Sequence, residues 1–252
     1  MPYQIKVAHD KQFAVPADDW MFSGNTLETY EHYVIRPFLE AVRGRDTVLD
    51  VGSNIGLYSI LAAPYARRVI ALDASALNAK LVLVNAKLNG IFNVEAYPVA
   101  VSDRVGMATF GQANSTNKVM AQQEITIETI DSVDAVLSMP LDLVLPGIRV
   151  DVLKIDVEGR EYAAMVGAQK ILSQLPVVFS EYSHNFIKSG CGVDGAEYLN
   201  LFFSKGYTAT VLYRDMTQEF VGGSADMVQE RWQRYIEANI THLDLKFSPP
   251  GM

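Results

Sequence analysis

The run Val48-Leu49-Asp50-Val51-Gly52-Ser53-Asn54-Ile55-Gly56 constrains this chain more than any other segment. It reads as a buried strand that ends on an acid, turns through glycine and enters a helix. Glycines in such a turn let backbone come close to a ligand, and the helix start offers unpaired N–H groups and the positive end of its dipole. The dinucleotide fingerprint would place glycines as G-x-G-x-x-G. With Gly56 as the last glycine, the earlier slots hold Val51 and Ser53, so that pattern fails. What the residues spell is acid-x-Gly-x-small-x-Gly, a cradle for a cofactor other than NAD.

Downstream, apolar strands alternate with helical stretches. Arg68 to Asp73 is a short strand with an acidic end, and Leu77, Leu81, Val84 and Leu88 fall on one face of a helix that Gly90 caps. Val94 to Val101 is the next strand, and Met107 to Gly111 and Glu124 to Ile130 read as strands of a less regular insertion. Asp151 to Val157 and Val177 to Tyr182 are strands separated by a helix with Met165, Ala168 and Leu172 on one face. The last quarter offers helices over 195–205 and 225–238 and strands over 208–213 and 243–247. This alternation predicts an α/β fold, a mostly parallel sheet covered on both faces. Ligands of such sheets bind beyond the C-terminal strand ends, at the switch point, where Asp50, Asp73 and Asp156 would converge. Residues 1–44 read as a small strand/helix cap ahead of a main domain over 45–252. In the cap, residues 1–24 form a strand or two with turns. A helix then runs from Asn25, its N-cap, towards Val42, divided or kinked at Pro37 and stopped at Gly44.

Composition narrows the partners. A net charge of −8 argues against a nucleic-acid backbone or an anionic membrane. The lone Cys191 excludes internal disulfides and thiolate metal clusters and fits a reducing, cytoplasmic setting. The first ten residues lack the apolar core of a signal peptide, and no uncharged apolar run approaches the ~18 residues of a membrane span. The segment holding Trp232 and Tyr235 reads as core or as a contact in a homo-oligomer.

The candidate site residues follow from those strand ends. Gly52, Ser53, Asn54 and Gly56 form the cradle, and Asp50 would orient the loop or pair with a cationic amine of the ligand. Asp73, 23 positions after Asp50, suits bidentate bonding to ribose hydroxyls, with Ala74 beside it, or else caps the helix that begins near Ser75. Ser102 and Asp103 follow the third strand, where an acid or backbone N–H groups could read a purine edge; ordinary turn chemistry is the alternative. In Asp151 to Gly159, strand alternation puts Lys154, Asp156 and Glu158 on one side. Three charges there are costly unless paired or set at an open cleft. Asp156 could bind the ligand's amine or take a proton from an acceptor, and Lys154 could position the substrate or neutralise Asp156. Glu181 and His184 follow the next strand and could line an acceptor pocket, His184 as a general base. No zinc motif is present, so no metal is expected; a magnesium held by Asp156 and Glu181 is the remaining metal alternative.

These stretches resemble the FkbM-type branch of the class I S-adenosylmethionine (SAM)-dependent methyltransferases. The resemblance rests on Leu49 to Gly56, Asn85 to Gly90, Ala100 to Asp103 with Gly106, Thr129 to Val133, and Leu153-Lys154-Ile155-Asp156-Val157-Glu158-Gly159 with Glu161. It implies a doubly wound, Rossmann-like sheet of seven strands with SAM in the cleft. It also implies O-methylation of a hydroxyl on a small molecule or sugar. By motif, Asp50 to Gly56 and Asp73 are the cofactor contacts, and Asp156 stands between cofactor and acceptor. One departure shortens the reach to the ribose: the family's second acid is usually Glu followed by Pro, and here it is Asp73-Ala74. The stretch from His184 onward matches nothing in the pattern. In the expected displacement, Asp156 or His184 removes the acceptor proton. The competing readings are a SAM-binding scaffold without catalysis and an NAD-type oxidoreductase.

Overall fold

The computed structural model describes residues 3–17, 26–111 and 133–252. An antiparallel hairpin, β1 (Tyr3–Ala8) and β2 (Lys11–Pro16), opens the chain. Its two-residue turn, His9-Asp10, has positive φ at both positions (51° and 58°), the hand that matches strand twist. Two helices follow, α1 (Thr26–Thr29) and α2 (His32–Val42). The expected division falls at Glu31, whose φ is 46°, and not at Pro37, which lies inside α2 on its buried face with Val34, Ile35 and Phe38. The expected cap Asn25 lies outside the described residues.

From β3 (Arg45–Val51) the chain winds through α3 (Leu57–Ala62), β4 (Ala66–Asp73), α4 (Ala76–Leu88) and β5 (Val94–Pro98). An insertion follows: β6 (Ala100–Val101), β7 (Gly106–Gly111) and β8 (Val133–Met139) form a small separate sheet in the order β6-β8-β7. Strand β8 was not anticipated, and the strand expected over 124–130 lies outside the described residues. The main sheet resumes after α5 (Leu141–Val144) with β9 (Val152–Ile155), α6 (Glu161–Val166), α7 (Gln169–Leu172) and β10 (Val177–Tyr182). It closes with α8 (His184–Cys191), α9 (Gly195–Phe203), β11 (Thr208–Leu212), β12 (Gln218–Gly222), α10 (Ala225–Glu237) and β13 (Leu243–Ser248).

The sheet order is β12-β11-β13-β10-β9-β3-β4-β5, with β13 and β12 running against the other strands. This is the doubly wound sheet expected, with one strand more. The eighth strand, β12, is an edge whose Gln218 and Phe220 face solvent, so its sequence lacks a buried-strand pattern. Alternation along β3 and β9 splits the core in two. Val48 and Val152 face α2, α3 and α4, whereas Leu49 and Leu153 face α6, α7 and α9. Trp232 packs into the second of these cores.

Helix α4 departs from its apolar pattern. Leu77, Val84 and Leu88 stay substantially exposed, while Asn78, Leu81, Val82 and Asn85 turn inward. The reason is hydrogen bonding. The Asn85 amide accepts the Ala14 N–H (2.6 Å) and donates to the Ile55 carbonyl (2.8 Å); one turn on, Asn89 accepts from Gln12 N–H (2.9 Å) and donates to its carbonyl (2.7 Å). Two asparagines four apart thus serve alternate residues of β2, which docks the cap on the helix.

Candidate functional site

Strands β3 and β9 are neighbours at the switch point, and their C-terminal ends meet backbone to backbone. The Asp156 N–H donates to the Val51 carbonyl (3.0 Å), and Gly52, at φ 76°, leaves no room for a side chain: a Cβ there would lie 1.7 Å from the Asp156 carbonyl oxygen. The Gly52 and Ser53 N–H groups both donate to the Leu72 carbonyl (2.8 and 3.1 Å), tying the loop to the end of β4.

Asp73 closes that end. One carboxylate oxygen accepts the Asn54 N–H (2.8 Å); the other accepts the Ser75 N–H (2.8 Å) and the Asn78 amide (3.1 Å). Ser75 is itself the N-cap of α4, so Asp73 braces the glycine loop against the helix start. Among the described residues its first oxygen accepts no other hydrogen bond. Burial pushes its carboxyl up to about 6 against those donated bonds.

A cavity opens above this junction. Gly52, Ser53, Asn54, Asp73, Ala74 and Asp156 line it from the strand ends, Leu72, Val99 and Val101 give an apolar wall, and Leu27, Tyr30 and Glu31 of the cap close the far side. Asp50 and Gly56 sit underneath instead: Asp50 is fully buried and accepts the Ser59 hydroxyl (2.6 Å), and Gly56 packs on Val82. Asp50 thus sits beneath the loop and does not line the cavity.

The Lys154 ammonium holds the centre. It lies 3.3 Å from an Asp156 carboxylate oxygen, 3.3 Å from the Gly52 carbonyl, 3.9 Å from Asp50 and 5.0 Å from the Tyr58 ring centre. Burial alone would lower its pKa, but Asp156, Asp50 and Glu31 outweigh burial and hold it above the ordinary lysine value. The expected strand alternation stops at Ile155. Asp156 to Gly159 form a turn with Glu158 and Gly159 at positive φ (54° and 92°), and the buried Glu161 carboxylate accepts the Val157 and Gly159 N–H groups. Desolvation pushes Glu161 up to about 7.

A second, smaller cavity adjoins the first. Both are lined by Glu31, Tyr58, Lys154 and Asp156, and the smaller adds Phe179, Ser180, Glu181 and Asp244. Glu181 and Asp244 are directly opposite in the β10–β13 pairing. Burial raises both carboxyls, and the Asp156 charge adds to it. Asp244 accepts the Tyr33 hydroxyl (2.7 Å), and His242 approaches Glu181 (3.9 Å) and Asp244 (4.0 Å). Glu31 accepts the Tyr58 hydroxyl at 2.5 Å, and desolvation, followed by Asp244 and Asp156, lifts its carboxyl to about 7.

The structure does not bring His184, Ser102 or Asp103 to either cavity. His184 is the first residue of α8 and turns to Trp232 (ring centres 5.1 Å apart) and Asp194 (3.9 Å), away from the rim. Ser102 bonds Asp103 (3.1 Å) and Asp103 pairs with Arg104 (3.4 Å) at the surface, which leaves the cavity wall to Val99 and Val101. Sequence reasoning missed Glu31, Tyr58 and Asp244. A buried acid amid apolar residues, as in Leu243-Asp244-Leu245, was the one signal available.

The donor set suits a sulfonium nucleoside. Gly52 gives a floor without side chain, Ser53 has a buried hydroxyl with no hydrogen-bond partner among the described residues, and the apolar wall suits a purine. The surrounding carboxylates favour a cation.

The sequence matches the methyltransferase FkbM domain over residues 31–209. No curated protein matches it. Among solved structures, a protein from Streptococcus mutans described as a SAM-dependent methyltransferase superposes with a TM-score of 0.51 at 12% identity, over 98% of this chain and 56% of that one. The tRNA (uracil-54, C5)-methyltransferase of Pyrococcus abyssi, with S-adenosyl-L-homocysteine, gives 0.48 at 12% identity over 99% and 44%. An rRNA methylase from Streptococcus thermophilus gives 0.47 at 11% over 86% and 95%. The chain spans about half the length of the first of these structures. At such identities the likeness concerns the fold.

Proposed function

The chain belongs to the methyltransferase FkbM family, whose methyl donor is S-adenosyl-L-methionine, and on that premise we propose that it methylates a hydroxyl on a small molecule or sugar. The observation that carries the acceptor class is the pair of adjoining cavities, with Glu31, Tyr58, Lys154 and Asp156 at their junction. The larger takes the donor and the body of a compact acceptor, and the smaller, ringed by Glu31, Glu181 and Asp244 and with room for about one water-sized group, takes a single hydroxyl of that acceptor. That ring of acids, like the net charge of −8, disfavours a polyanion such as RNA.

When bound, the donor supplies a methyl carbon on a positively charged sulfur, open to in-line attack by an acceptor oxygen. Gly52, Ser53 and Asp73 bind and orient the nucleoside. Asp156, steadied by Lys154, accepts a hydrogen bond from the acceptor and fixes its position. Such positioning can lower a barrier by ~7–11 kcal/mol. Glu31 takes the hydroxyl proton, a role for which a carboxyl near 7 is well matched. This moves the base from Asp156 or His184 to the cap.

The test is transfer of labelled methyl from SAM to a panel of sugars and hydroxylated metabolites, with Asp156→Asn alongside. We expect labelled ether products from the unaltered chain and far less from the variant, whose amide lacks the charge that Lys154 steadies. Stoichiometric SAM binding without transfer to any acceptor would point to a non-catalytic scaffold. Transfer to RNA in place of metabolites would overturn the acceptor class.

A further inference from the structure

His9, Glu28 and His32 reach one point on the cap from three elements: the β1–β2 turn, α1 and the first residue of α2. One ligand atom from each lies within 4.8 Å of the others. The two imidazoles stand edge to face, 5.0 Å between centres. The Nε2 atoms of both rings are buried, and neither has a hydrogen-bond partner among the described residues. Leaving a buried polar atom unsatisfied is costly, so two at one place call for a reason.

The surroundings orient these atoms. Each ring keeps its buried Nε2 without a partner among the described residues; with the proton on Nδ1, Nε2 is a lone-pair donor, the arrangement common to metal-bound histidines. Glu28 accepts the His9 backbone N–H through Oε2 at 2.6 Å, which secures the turn, and among the described residues its Oε1 accepts no hydrogen bond.

We propose that His9 Nε2, His32 Nε2 and the Glu28 carboxylate bind a divalent transition-metal ion of the zinc type, with solvent in the fourth position. Two imidazoles and one carboxylate suit zinc, whereas magnesium and calcium require oxygen donors throughout. Metal–ligand bonds of about 2.0–2.2 Å set ligand atoms roughly 3.4 Å apart in a tetrahedron, so the three groups contract slightly, which the exposed Glu28 arm permits. The ligands are separated by 19 and 4 positions, and no spacing motif announces them. Leu27 and Glu31, each next to a ligand, line the large cavity, so the ion cross-links the hairpin to the wall of the donor site.

The test uses the tag-free, chelator-treated full chain and needs no methyl donor. Zinc is titrated against a chromophoric chelator, and cobalt(II) substitution is followed by visible and X-ray absorption. One equivalent should bind with micromolar or tighter affinity and raise the melting temperature. His9→Ala and His32→Gln should each weaken binding by at least about 100-fold with unchanged far-UV circular dichroism. Should either variant fail to fold, the cobalt form of the unaltered chain decides: two imidazole nitrogens with a carboxylate and a solvent oxygen support the site, and any other donor set overturns it. Absence of stoichiometric zinc uptake, or uptake equal in both folded variants, also overturns it.

Discussion

Gly52 and Asp156 touch across the switch point: a Cβ on Gly52 would stand 1.7 Å from the Asp156 carbonyl oxygen, and φ at Gly52 is 76°. Two strand ends can close this tightly only where one contributes bare backbone. Gly52→Ala is therefore expected to push β3 and β9 apart at their C-terminal ends. We expect a loss of roughly 3 kcal/mol or more in urea unfolding, and loss of SAM binding by calorimetry. An alanine variant with unaltered affinity would refute the contact.

Lys154 faces Asp156 at 3.3 Å and the fully buried Asp50 at 3.9 Å. Lys154→Met removes the cation and strands Asp50 without compensation. Breaking a buried pair in this way costs ~3–5 kcal/mol, whereas replacing both partners with neutral groups is far milder. Lys154→Met should therefore be strongly destabilised, and adding Asp50→Asn should recover most of the loss. Denaturation of the single and double variants measures that coupling; additive losses would show that the two groups act independently.

Asn85 would look improvable to anyone reading α4 as an amphipathic helix. Its amide instead satisfies the Ala14 N–H and the Ile55 carbonyl, the latter within the glycine loop. Asn85→Leu leaves both backbone groups buried and unpaired, at ~1–3 kcal/mol each. The expected outcome is a lower melting temperature and faster amide exchange at Ala14. A leucine variant as stable as the parent would contradict it.

The same helix shows where sequence reading succeeds and fails. The strands β3, β4, β9 and β10 were legible because both faces are buried and their runs are continuously apolar. The glycine loop was legible because its spacing serves a backbone approach. Asp73 and Asp156 followed from strand ends alone. What failed was non-local. Glu31 reaches the cavity because the cap folds over the strand ends, and Tyr58 because α3 turns inward beside Lys154; neither placement has a local signature. His184 was misplaced because the N-cap Ser183 starts α8 at once and swings the imidazole towards Trp232. Apolar periodicity misled in α4 because asparagine buried against backbone breaks the rule that polar faces point outward.

Glu31 gives the sharpest pH signature. Desolvation first, then Asp244 and Asp156, lift its carboxyl from 4.5 to about 7. In catalysis the ionised form is the base, so the transfer rate should rise with pH through about 7. Glu31→Gln should remove that limb and lower kcat by ~10²–10⁴-fold, with little change in SAM affinity. Stability moves the opposite way. An acid whose folded pKa exceeds its unfolded value binds its proton more tightly when folded, so its contribution is complete below about 4.5 and is lost as pH rises through about 7. Asp73, near 6, and Glu161, near 7, act in the same direction. The ligand-free chain should therefore melt at progressively lower temperature between pH 4.5 and 7.5, and Glu31→Gln should flatten part of that slope. A variant that keeps the pH–rate limb while losing the stability slope would leave Glu31 a buried structural acid and return the proton to Asp156.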